Sequence, residues 1–166
     1  MTLDRRIRAW VKDYVAEELT AYDIGGRISA IKTADEVVNN SDVYQTDDHI
    51  RNLATEANTR YSFYMFIHYS SGAVADIKLH LYHTKNDWTA HGFYDLDGMS
   101  SVGETSVGHY IEWILGAAGN DKYCNFRGEF KTVTSGALNL EWAQNTADAS
   151  DTTLHEGCYL IVQKMQ

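Results

Sequence analysis

Seven histidines and a scatter of carboxylates are the residues with the most chemistry to offer. The densest imidazole set is His80-Leu81-Tyr82-His83, with His68 and His91 in neighbouring segments. A shared metal ion needs ligands that converge on one point. On a strand, residues three apart project from opposite faces, so His80 and His83 cannot grip one ion. His68 and His80 could meet across a hairpin, which leaves a metal ion as the lesser reading; surface or interface histidines are the expected one. Asp95 and Asp97, in Tyr94-Asp95-Leu96-Asp97-Gly98, have the composition of a turn, which could carry Ca²⁺ but offers few oxygen ligands for it. Together with Glu141 they are the carboxylates on which a polysaccharide hydrolase would have to rely. The G-x-S-x-G, H-E-x-x-H and G-x-x-x-x-G-K patterns are all absent. No catalytic residue, cofactor-binding residue or metal ligand is therefore assigned, no cofactor is expected, and the protein reads as non-enzymatic.

The two cysteines, Cys124 and Cys158, have no C-x-x-C partner and fall at core-facing positions of predicted strands, so both read as buried free thiols. Trp and Tyr are frequent enough to admit stacking on a sugar face. Most of them alternate with the pleat, however, and are explained by packing.

These residues must be positioned by elements that the hydrophobic pattern makes visible. Over residues 3–22 apolar residues recur at helical spacing, with Thr2 as N-cap and Gly25-Gly26 as the break. Leu3, Ile7, Trp10, Val11 and Tyr14 form the apolar stripe, which serves as an anchor on a partner or as an oligomer contact. Beyond Gly25 the period changes to two. Strands are predicted at 27–33, within 43–54 (broken at Asp47-Asp48), and at 60–70, 75–84, 87–94, 107–115, 122–134, 137–144 and 157–165. In 60–70, Tyr61, Phe63, Met65, Ile67 and Tyr69 share one face. Tyr64 and Phe66 make the other face apolar too, which fits the middle of a sandwich or a subunit interface. Ser135-Gly136 reads as a hairpin turn into Ala137–Gln144. There Leu138, Leu140 and Trp142 point inward, Trp142 plugging one end of the sandwich. Asn139 and Glu141 point outward, and Gln144, Asn145 and Thr146 begin an exit loop. About nine short strands without intervening helices predict an all-β antiparallel sandwich or jelly roll behind an N-terminal α-helix. The boundary falls near residue 25, giving a helix over 1–25 and a sandwich domain over 26–166.

The bulk numbers agree with one domain: 166 residues, 44% hydrophobic, and a net charge of −9 with no cluster of Lys and Arg. That charge argues against a nucleic-acid groove. No signal peptide is read at the start, and no apolar run approaches the roughly 18 residues of a membrane span. Proline is absent, so edge strands need another guard, such as neighbouring copies.

Three stretches carry a family resemblance: KTADEVVNNSDVYQTDD (32–48), EANTRYSFYMFIHYSSGAVADIKLHL (56–81) and SGALNLEWAQNTADASDTTLHEGCYLIV (135–162). In order and spacing, across most of residues 31–163, they resemble a widespread group of tailed-phage virion proteins. The resemblance implies a jelly-roll head that assembles as a trimer, located in the virion and made in the bacterial cytoplasm. Its partners would be the major capsid protein or another virion protein. It transfers no catalytic residue. With one short helix ahead of the sandwich, a capsid decoration or cement protein is the expected role. The alternative is a small tail-fibre or baseplate component that recognises a host-surface glycan or protein.

Overall fold

A computed structural model describes residues 26–85, 87–96, 99–100, 104–107, 110–116 and 121–165. The expected helix, with Leu3, Ile7, Trp10, Val11 and Tyr14, lies outside the described residues, which contain no helix. They form strands throughout: β1 (Arg27–Ile31), β2 (Glu36–Asn39), β3 (Gln45–Thr46), β4 (Leu53–Thr55), β5 (Arg60–Ser70), β6 (Ile77–His83), β7 (Trp88–Leu96), β8 (Met99–Ser100), β9 (Glu104–Val107), β10 (Tyr110–Leu115), β11 (Lys122–Thr132), β12 (Gly136–Gln144), β13 (Asp151–Leu154) and β14 (Tyr159–Lys164). One sheet of nine strands runs β1-β14-β5-β11-β7-β8, with β13 joining β2 to β5 and β9 beside β7. A second sheet of five runs β10-β6-β12-β3, with β4 on β12. Every pairing is antiparallel.

The all-β two-sheet architecture agrees with the period-two pattern. Among the described residues there are fourteen strands where about nine were expected, because β2, β8, β9 and β13 have only two to four residues each and are too short to show a period. The inward alternation of β5, β6, β11 and β12 meets in one core, where Trp88, Trp113, Trp142, Phe126, Phe130 and Tyr69 are fully buried. Trp142 sits within β12, opposite Leu79 and Gln45, as a core residue rather than an end plug.

The expected hairpin at Ser135-Gly136 is a corner between sheets. β11 pairs with β5 and β7, whereas β12 pairs with β6, β3 and β4. Gly136 is required there for close approach: a Cβ would lie 2.6 Å from the His83 ring, which is wholly buried beneath it. A second close approach occurs inside the larger sheet. Gly128 of β11 stands opposite Gly92 of β7, and a Cβ on Gly128 would meet the His91 carbonyl oxygen at 2.0 Å and the Phe63 ring at 2.6 Å.

The motifs behind the family resemblance fall at the joints of the sandwich. Asn40 and Asn58 take left-handed backbone conformations (φ 50° and 52°), which Asn tolerates better than most residues. Gln144 is the last residue of β12 and is fully buried, so it does not begin an exposed loop. Its side-chain oxygen accepts from the Ser41 and Asp148 amides at 3.1 and 3.0 Å, and its amide donates to the Ser150 carbonyl at 2.7 Å. One side chain thereby ties the loop after β2 to the loop before β13. Lys32, at the end of β1, is buried and bonds the carboxylates of Asp47 (2.6 Å) and Glu36. Asp47 in turn accepts from the amides of His49 and Ile50 at 2.8 and 2.6 Å. The Asp47-Asp48 break is thus a built ionic corner.

Candidate functional site

Two of the carboxylates on which hydrolysis would depend fall in different sheets. Asp95 belongs to β7 of the larger sheet and Glu141 to β12 of the smaller one, while Asp97 lies outside the described residues. The pairing of His68 with His80 is also overturned, because β5 and β6 belong to different sheets. Among the described histidines, His68, His80, His83 and His155 are buried within the single chain and His91 is exposed. His83 points inward, bonded to the Thr55 hydroxyl at 2.9 Å, and burial lowers its pKa against the opposing pull of Asp87. Cys124 and Cys158 are buried free thiols. Burial pushes Cys158 up to about 12, so it stays protonated and is no nucleophile at neutral pH.

Three groups of side chains outside the core have the makings of a site. The first lies on the outer face of the larger sheet. Alternation that sends Tyr61, Phe63, Met65 and Ile67 inward sends Tyr64, Phe66 and His68 outward. Register places Tyr123 of β11 beside His68 and Tyr159 of β14 beside Phe66. The rings form a continuous row: Tyr64 to Tyr159 at 5.9 Å, Tyr159 to Phe66 at 5.6 Å, Phe66 to Tyr123 at 6.0 Å and Tyr123 to His68 at 4.4 Å. Tyr64 is 38% exposed and Tyr123 36%, so the row faces solvent in the single chain. Tyr64 donates to Asn125 at 2.6 Å, fixing its ring in the row. A contiguous aromatic surface of this kind is what interfaces are enriched in.

The second group lies on the outer face of the smaller sheet. His80 is stacked between Tyr44 (3.6 Å) and Tyr110 (4.0 Å), and Lys78 lies 4.6 Å over the Tyr44 ring. Glu112 accepts from Tyr44 and from His80, both at 2.6 Å. Burial depresses the His80 pKa despite Glu112. Burial also opposes ionisation of Glu112, but the two hydrogen bonds outweigh it and lower its pKa. The contact is therefore a neutral imidazole donating to a carboxylate, with Glu141 3.9 Å from the other ring nitrogen.

The third group was invisible in the sequence because its members are far apart in the chain. At one end of the larger sheet His68, Asp121 and His155 bring one ligand atom each to within 4.8 Å of one another. Asp35, from the turn between β1 and β2, stands 3.2 Å from Nδ1 of His155. The stretches that carry the resemblance hold three of these residues, Asp35 in KTADE, His68 in MFIHYS and His155 in LHEG, without a signal that they meet.

No known protein family matches the sequence, and no curated protein matches it. Solved structures do. The Eiger TNF from S. frugiperda is 10% identical, with 86% of this chain and 94% of that one covered and a TM-score of 0.47. A family two carbohydrate esterase from Cellvibrio japonicus is 12% identical over 80% of this chain and 34% of that one, with a TM-score of 0.30. The sugar-binding C-terminal domain of EclA is 12% identical over 86% and 81%, with a TM-score of 0.28. Likenesses this distant, to proteins of such different roles, decide nothing about function.

Proposed function

We propose that the protein is a non-enzymatic structural component of a tailed-phage particle, in the first instance a capsid decoration or cement protein that works as a homotrimer. The observation that carries this reading is the solvent-facing row Tyr64, Tyr159, Phe66 and Tyr123 on the larger sheet. The four rings carry no charge on a chain of net charge −9, which suits their burial against a sister copy. The phage-virion resemblance over 31–163 supplies the setting, and its motif residues are the ones that fix the corners of the sandwich. Residues 1–25, with the apolar stripe Leu3, Ile7, Trp10, Val11 and Tyr14, are the segment assigned to the shell. Work of this kind is mechanical: each bound copy adds buried surface between shell subunits and stabilises the particle by mass action.

The test combines mass in solution with location on the particle. Wild-type protein is expected to be trimeric and to bind assembled capsids in many copies. Phe66→Ser is expected to remain folded and become monomeric, and deletion of residues 1–22 to remain folded and lose the capsid. A monomeric wild type, or full capsid binding by the truncated protein, overturns the corresponding part of the reading.

A second reading, a tail-fibre or baseplate component that recognises the host surface, draws on the smaller sheet. Tyr110 is 44% exposed on β10, beside Glu112 and the stacked His80 and Tyr44. An aromatic face bordered by carboxylate acceptors suits a sugar ring. Binding of purified protein to host cells, competition with phage adsorption, and loss of both in Tyr110→Ala would favour it over decoration.

A further inference from the structure

We propose that His68, His155 and Asp121 form a binding site for a divalent transition-metal cation, with Zn²⁺ the best match. The site is independent of whether the protein decorates a capsid or a tail.

His68 is an outward residue near the end of β5, and it is held on both sides. The Tyr123 ring stacks on it at 4.4 Å and 16°, and the His155 ring at 4.3 Å and 31°. Asp121 immediately precedes β11, which pairs with β5, so the register of that ladder brings its carboxylate to the end of the His68 ring. His155 follows β13, whose last residue, Leu154, pairs with Tyr69 of β5. Three distant parts of the chain thus deliver their ligands to one point through backbone pairing.

The distances suit an ion. Nε2 of His68 is 3.4 Å from Asp121 Oδ2, and Nε2 of His155 is 3.7 Å from Asp121 Oδ1. Bonds of about 2.1 Å at tetrahedral angles put ligand atoms about 3.4 Å apart. Typical N–H···O hydrogen bonds are shorter, about 2.7–3.2 Å. The two contacts run to different oxygens of Asp121 and the three ligand atoms lie within 4.8 Å of one another, so small side-chain adjustments would close the set on a common ion.

Asp35 is placed to orient His155 as a ligand. Asp35 Oδ1 accepts the Glu156 amide at 2.7 Å, which anchors the carboxylate, and Oδ2 faces Nδ1 of His155 at 3.2 Å. A proton on Nδ1 leaves the lone pair of Nε2 directed at Asp121. A carboxylate behind a ligating histidine does this in many metal sites, and removing it weakens binding about 10- to 100-fold. Without metal, the Ser70 hydroxyl is within hydrogen-bond distance of Nε2, at 3.0 Å, and in this tautomer it is the donor. The ion would replace this hydrogen bond.

Two imidazole nitrogens and one carboxylate oxygen favour Zn²⁺, Co²⁺ or Ni²⁺ over Ca²⁺ or Mg²⁺, which take oxygen ligands. The Asp121 side chain is 47% exposed and the two imidazoles are nearly covered, so the ion would enter from the Asp121 side and keep water in its remaining position. Such a bond would tie β5, the start of β11 and the β13–β14 turn together at one end of the sandwich.

The test uses the full chain freed of metal by chelator. Titration with ZnCl₂ by calorimetry is expected to give one equivalent bound at micromolar affinity or tighter, with a rise in melting temperature. Co²⁺ is expected to give the visible absorption of a low-symmetry site, and CaCl₂ to do nothing. Asp121→Asn alters a half-exposed side chain, so it keeps the fold and is expected to lose at least tenfold in Zn²⁺ affinity. Asp35→Asn is expected to lose a similar factor with the stoichiometry unchanged. Absence of Zn²⁺ binding to the wild type, or wild-type affinity in folded Asp121→Asn, would overturn the proposal.

Discussion

Two clusters of titratable side chains stand side by side at one end of the sandwich, and consecutive residues divide between them. Glu36 faces Lys32 and Asp47, whereas Asp35 faces His155 in the cluster with His68 and Asp121. The β13–β14 turn docks on the same place, since the Lys32 amide donates to Cys158 and the Gly157 amide to Lys32, at 2.7 and 2.8 Å. In the first cluster Lys32 and Asp47 are wholly buried, and an ammonium supplied by the chain itself closes it. In the second the converging groups are two imidazoles and a half-exposed carboxylate, a set suited to a cation from outside. The difference is between a corner that is complete when the chain folds and one that is completed by a ligand. Three experiments would break or sharpen it.

The largest effect is expected at Lys32. Lys32→Met keeps the length and packing of the side chain but leaves the carboxylates of Asp47 and Glu36 without their ammonium. Removing one partner of a buried pair costs about 3–5 kcal/mol. Denaturant unfolding at pH 7 measures it, and a loss below about 1 kcal/mol would mean that the ammonium does not close the corner. Bound metal should not restore this loss, because the ion acts in the neighbouring cluster.

A middle-sized effect is expected from the ion itself. At a free concentration about 100 times its dissociation constant, Zn²⁺ should stabilise the folded chain by about 2.7 kcal/mol. In Asp35→Asn the same Zn²⁺ concentration should give a smaller gain, since the tautomer of His155 is no longer held. Thermal melts with and without ZnCl₂ read both. Equal gains in the two proteins would show that Asp35 does not serve the ligand.

What the sequence made legible follows from the range of each signal. Period-two alternation is local, so β5, β6 and the inward face Leu138, Leu140 and Trp142 of β12 were readable. Pairing partners are not local. The Ser135-Gly136 signal marked the connection between β11 and β12 but did not tell a hairpin from a sheet-to-sheet corner, because Gly136 serves there by its missing Cβ, beside His83 of the other sheet, and not by a turn conformation. Short β2 and β13 exist through their pairing with each other, from Glu36 to Leu154 and Asn39 to Asp151, and carry no period of their own. The clusters were hidden for a related reason. Lys32 looked like the polar end of a strand and Asp47 like a loop residue, and only the folded chain shows that each buries the other. In sequence the nearest histidine to His68 is His80, whereas its ring partners Tyr123 and His155 come from later strands and turns.

The smallest effect concerns pH, and its sign separates the roles of the two acids in the closed corner. Burial raises Glu36 to about 7, sharing with Asp47 adds to the shift, and Lys32 opposes it. Burial also works against Asp47, but hydrogen bonds from Glu36, Lys32 and the Ile50 amide outweigh it and lower its pKa. The shared proton therefore sits on Glu36. A carboxyl raised in the folded state stabilises fully below its unfolded value of 4.5, and that contribution is lost as pH rises through about 7. Asp47 behaves oppositely, stabilising above its ordinary 3.8 and losing that contribution as pH falls through its lower folded value. Glu36→Gln retains a neutral hydrogen-bonding group that cannot lose its proton. Relative to wild type it should be nearly neutral at pH 4.5 and become more stable by on the order of 1 kcal/mol above pH 7, a fraction of the full shift because solvent reaches Glu36. Comparing the two proteins at each pH cancels the histidines they share. A difference that stays constant from pH 4.5 to 8 would place the proton elsewhere and make Lys32 a sufficient counterion for both acids.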